Sequence, residues 1–108
     1  MLTIAGIKAC DSMKKAFARL DAAGAAYTFM DFKKTAPTPE QVRAWLDAVG
    51  DSLVNRKGTT WRKLTPAEQA AAGDALIGLI VAHPSLIKRP LLSDGDRTTI
   101  GLDSPLLP

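Results

Sequence analysis

The chain has a single cysteine, Cys10, among its 108 residues. It can therefore form no internal disulfide and no cysteine-based metal cluster. A lone thiol suits a reducing compartment better than an oxidising one, so the protein is expected in the cytoplasm. Histidine is as scarce: His83 stands alone and finds no partners for a metal. Long apolar runs are missing too. The longest, Ala75 to Ala82, is far short of the ~20 residues that cross a bilayer. Met1 to Ile7 lacks the basic flank and apolar length of a signal peptide. No membrane partner is expected. The net charge is only +3, without the dense Lys/Arg clustering of a nucleic-acid binder, so no nucleic-acid partner is expected either. A mild basic balance fits a local anion site. Repeats, low-complexity tracts and linkers are absent. Apolar residues at 46% and charged residues at 23% describe an ordinary globular chain, read as a single domain over residues 1–108.

What is present is an alternation of elements. Leu2 to Ile7 reads as a short strand buried on both faces. DSMKKAFARLDAAG follows as a helix, with Asp11 or Ser12 capping it and Gly24 ending it. Met13, Phe17 and Leu20 give its core face, and Lys14, Lys15 and Arg19 its solvated one. Ala26 to Phe32 reads as a second strand. Thr38-Pro39-Glu40-Gln41 is a capping-box start for a helix carrying Val42, Trp45, Leu46 and Val49 on one stripe. A second such start, Thr65 to Glu68, opens another helix, and a third runs from Asp74 to about His83, where Pro84 stops it. Leu91 to Ser93 and Arg97 to Ile100 flank an Asp-Gly-Asp turn and read as a hairpin. Gly101 to Pro108 is expected to be irregular. The fold class is α/β: a mixed sheet, β-α-β and then a β-β hairpin, with a helical insertion over residues 38–84. Strands joined through a helix should be parallel and right-handed.

Cys10 falls just ahead of the first helix. There the helix dipole and unpaired N–H groups favour an anion and lower a thiol pKa from its free value of ~8.5. Lys8 adds a cation, Ser12 can donate a hydroxyl to the sulfur, and Asp11 opposes the thiolate. A small buried cysteine would look the same locally. Two arginines bear on the choice. Arg56 lies in NRKGTTWRKL, where Gly58 leaves backbone open to a ligand and Trp61 can lie over one. Arg89 precedes Pro90 in HPSLIKRPLL, and X-Pro is where a cis peptide costs little. A guanidinium near a thiolate stabilises it and holds an anionic substrate. Taken singly, each arginine also reads as an ordinary solvated residue.

Together GIKACDSMKKA, NRKGTTWRKL and HPSLIKRPLL resemble, in order and spacing, the arsenate reductase-like branch of the thioredoxin superfamily, nearest the YffB-type proteins and related to the Spx regulators. The resemblance implies a thioredoxin-like sheet, Cys10 as catalytic thiol, Arg56 and Arg89 at the oxyanion site beside it, and Pro90 as the fold's cis-proline. It also implies glutathione as co-substrate, with no tightly bound cofactor. The chain departs from the arsenate reductase pattern in several places. Leu102 stands where those enzymes have a further arginine, and Gly6-Ile7 where they have His-Asn. The family's C-terminal helix is expected to be missing or cut short after Leu102. Met13 replaces the second cysteine of the Spx dithiol, which excludes an internal switch.

Two functions follow. One is a glutathione-dependent thiol reductase with a single cysteine nucleophile, released by glutathione or a glutaredoxin. The other is an Spx-like module that contacts RNA polymerase without turnover. A redox-inert domain with a buried Cys10 is a third reading.

Overall fold

The computed structural model describes residues 2–108. Its sheet has the order β2-β1-β3-β4, with β1 at Leu2–Gly6, β2 at Tyr27–Asp31, β3 at Leu91–Ser93 and β4 at Thr98–Ile100. β1 runs parallel to β2 in the register Leu2 to Tyr27 and Gly6 to Asp31. β3 is antiparallel to β1, with Ile4 opposite Leu92, and β4 is antiparallel to β3. This is the mixed β-α-β and β-β arrangement expected from the sequence.

Strand alternation explains why β1 reads as continuously apolar. Successive side chains point to opposite faces, and both faces are covered. Ile4 and Leu92 pack with Met13, Ala16 and Leu20 of helix α1, Asp11–Ala22, and with Leu107 of the tail. Ala5 and Leu91 face the other way, onto Val42, Leu53, Ile80, Leu86 and Ile87. That second core is roofed by α2, Pro39–Val49, and α5, Asp74–Ala82. The first core is roofed by α1 and by the tail. Arg19 lies on the exposed face of α1, as expected, and there donates to the carbonyls of Leu102 and Pro108, tying the irregular C-terminal segment across α1.

The connection between β2 and β3 is helical, as expected, but more broken. Thr38 and Gln41 close the capping box that opens α2. Thr65 and Glu68 close an equal box, yet the helix it starts, α4 at Pro66–Gln69, lasts one turn and buries no residue. A cap without an apolar stripe gives a helix nothing to pack, and short helices do not hold on propensity alone. The segment after Arg56, read as loop, coils into α3 at Thr59–Arg62. The second strand is also a residue shorter at each end than the reading of 26–32. Among the described residues no helix is long and apolar enough to cross a membrane.

Candidate functional site

β1 ends at Gly6, and a tight turn leads into α1, closed by the Cys10 N–H donating to the Ile7 carbonyl at 3.1 Å. Cys10 itself is the N-cap, with φ −75° and ψ 137°, and its carbonyl accepts the first helical bond from Lys14. This corrects the assignment of the cap to Asp11 or Ser12: Asp11 is already the first helical residue. A neutral thiol is a poor acceptor, and Cys10 closes no side-chain capping bond. The amides of the first turn are thus left for an anion.

The sulfur is half-buried against the α1 core. Burial is the largest single influence on its titration and opposes the thiolate. The backbone N–H groups of Met13 and Ser12, then the charge and hydrogen bonding of the Arg89 guanidinium, outweigh it and hold the thiol below its ordinary pKa. Ser12 thus acts on the sulfur through its backbone rather than through the hydroxyl expected from the sequence.

Arg89 is delivered by a rigid segment. Lys88 N–H donates to the Leu53 carbonyl at 2.7 Å, Asn55 N–H donates to that of Leu86 at 2.8 Å, and Val54 and Ile87 form an antiparallel bridge. The Arg89–Pro90 peptide is cis, and Pro90 is buried at the start of β3. The Pro90 carbonyl accepts the Gly101 N–H, which brings Leu102 beside this corner. Leu102 packs on the same apolar cluster as Cys10.

Arg56 is placed differently. Its guanidinium lies 5.2 Å from the Trp61 ring centroid, a cation–π distance, and reaches Asp51 Oδ1 at 3.5 Å. With Asp51, Asn55, Lys57 and Lys88 it lines a shallow hollow of about 310 Å³. The two arginine-bearing segments are joined by the Thr60 and Ser85 hydroxyls at 2.7 Å. The sequence reading missed this link, although both residues lie inside or beside the quoted motifs. Lys8 is exposed and borders a separate hollow of about 360 Å³ with Phe17, Asp21, Tyr27 and Phe29. The structure therefore gathers Cys10, the Ser12 backbone, Arg89 and Pro90 at one corner. Arg56 and Trp61 form a second cationic group, and Lys8 borders a hollow apart from both.

Comparison with known proteins bears on the family and the fold. The family model described as ArsC matches residues 5–105. A solved YffB protein superposes with a TM-score of 0.88 at 44% identity, over 94% of this chain and 90% of that one. An arsenate reductase (ArsC) related protein from Brucella melitensis gives a TM-score of 0.77 at 39% identity, over 96% and 88% of the two chains. An arsenate reductase of Rhizobium meliloti is 26% identical over 94 residues, 84% of this chain and 67% of its own. By sequence and by fold, the chain belongs to the ArsC family.

Proposed function

We propose that the protein is a glutathione-dependent thiol reductase that works through Cys10 alone. The observation that carries this reading is a half-buried thiol at a helix N-terminus, held below its ordinary pKa with Arg89 beside it. The Cys10 thiolate attacks one sulfur of a disulfide. A Cys10 mixed disulfide forms and the other half leaves as a thiolate. Glutathione thiolate then attacks the mixed disulfide, restoring the Cys10 thiolate and releasing the bound half as a glutathione mixed disulfide, which a second glutathione thiolate cleaves to the substrate thiolate and oxidised glutathione. A glutaredoxin can replace glutathione in that step. With no second cysteine in the chain, the resolving thiol has to come from outside. Arg89 steadies the thiolate, and Arg56, backed by Trp61, attracts the substrate's carboxylates. Such chemistry belongs in a reducing cytoplasm.

Leu102 bears on the substrate. Where the arsenate reductase pattern calls for a further cation, this chain puts a leucine on the apolar cluster that Cys10 shares. An apolar wall suits the carbon chain of an organic disulfide and gives nothing to a small, highly charged oxyanion. The test is turnover with glutathione, glutathione reductase and NADPH, offering a small organic disulfide and arsenate in parallel. Disulfide reduction that saturates in glutathione, well above any arsenate rate, is the expected result. No turnover on either, with RNA polymerase recovered from extract on the immobilised protein, would replace this reading with the Spx-like binding module.

A further inference from the structure

Gly6, the last residue of β1, lies against the core side chain of Met13 and the stem of Arg89. A Cβ built on it would fall 2.6 Å from Met13 Sδ, 3.0 Å from Met13 Cε and 3.2 Å from Arg89 Cγ. The thioether and the arginine stem therefore both lie across a bare Cα, filling the space a side chain would take. The strand cannot retreat to make room. Gly6 is paired with Asp31 in the β1–β2 ladder, and its carbonyl accepts the Phe32 N–H at 3.0 Å. Nor does Met13 have an easy way out. It is fully buried among Ile4, Ala16, Leu20 and Leu92, and packed interiors offer little free volume. Arg89 is only half-buried, and its guanidinium end acts on the Cys10 sulfur. Of the two neighbours, it is the one that can swing aside.

We propose that Gly6 is a positioning residue: its missing side chain lets the Arg89 stem lie against the end of β1 and so sets the guanidinium beside Cys10. Any side chain at position 6 pushes that stem outward and takes the cation away from the sulfur. The effect passes through Arg89 and needs no contact between Gly6 and substrate. It rests on the reading of Cys10 as a reactive thiolate, and it adds a requirement that reading does not contain.

The test is a double-mutant cycle read at the thiol. Wild type, Gly6→Ala, Arg89→Ala and the double variant are titrated by thiolate absorbance and by the rate of alkylation with iodoacetamide below neutral pH. Gly6→Ala is expected to raise the thiol pKa and slow alkylation by about threefold or more, since only the thiolate reacts. In the Arg89→Ala background, the same change is expected to do nothing further. A purely structural role predicts lower stability with an unmoved thiol pKa. Gly6 has φ 158°, so some loss of stability is expected in either case and does not decide the matter. An equal shift in both backgrounds, or none in either, would overturn the proposal. If Gly6→Ala does not fold, the cycle is run on Met13→Ala, where Arg89 Cγ is the close contact that remains. A smaller rise, again lost without Arg89, is then expected, and its absence would overturn the proposal too. A wild-type thiol of ordinary pKa would instead remove the parent reading. A lowered thiol that responds to Arg89→Ala but not to Gly6→Ala removes this proposal alone.

Discussion

Cys10→Ser is expected to abolish glutathione-dependent turnover, on the order of 10³-fold or more, while making the protein more stable. The first effect follows from losing the only thiol in the chain. The second follows from where that thiol sits. Cys10 is the N-cap of α1, and as a neutral thiol it closes no side-chain bond to the first turn, whose Ser12 and Met13 amides serve the thiolate instead. Serine is among the best N-caps, and gaining such a cap is worth about 0.5–1 kcal/mol. In a chain of this size, that raises Tm by a few degrees. The gain depends on pH. Because the thiol pKa is lowered in the folded state, wild type draws its thiolate contribution to stability fully above the ordinary thiol pKa. It loses that contribution as pH falls through the depressed value. The advantage of serine should therefore be largest in mild acid and shrink as pH rises. Thermal melts of the two proteins across that range check it. A serine variant that keeps turnover, or that melts lower than wild type in mild acid, contradicts the picture of a helix start left uncapped for the sake of a nucleophile.

Leu92→Ala is expected to destabilise the fold by about 2–5 kcal/mol, a large part of the roughly 5–15 kcal/mol that holds an ordinary domain together. Leu92 is fully buried opposite Ile4, and it meets Met13, Leu20 and Leu107 in the α1 core. It also lies two residues beyond Pro90, on the strand that follows Arg89. A cavity there loosens α1 against β3, the two elements that bring Cys10 and Arg89 together. The thiol pKa should move back toward its ordinary value. Leu91→Ala removes as much from the opposite core and should cost similar stability while leaving the thiol alone. Urea unfolding with thiol titration of both variants checks the pair. Equal thiol responses would show that the site does not depend on the α1 core in particular.

The sequence made some of this legible and hid the rest, for physical reasons. β1, α1 and the hairpin were readable because each carries a local signal: an apolar run, a 3.6-residue stripe ended by Gly24, an Asp-Gly turn. The three motifs carried the resemblance to the family. α3 and the brevity of α4 were not readable, since neither buries a stripe that periodicity could reveal. The different placements of the two arginines were also hidden. Each follows an apolar or open segment in the sequence, and only the fold sends Arg89 to the sulfur and Arg56 to Trp61 and Asp51. The meeting of Gly6, Met13 and Arg89 depends on three elements converging to within a side chain's width. Arg19 is exposed, as its face of α1 suggested, but its tie to the tail was hidden, because its partners are backbone carbonyls more than 80 residues away and no pattern in the sequence marks such a partner.

The claim that the fold builds a thiolate at Cys10 is tested most directly by titrating that thiol in wild type, Arg89→Ala and Arg56→Ala. The account predicts a wild-type pKa below that of a free thiol, a higher value in Arg89→Ala, and little change in Arg56→Ala, whose guanidinium is engaged with Trp61 and Asp51. A wild-type value at or above that of a free thiol, or one indifferent to Arg89, would contradict it.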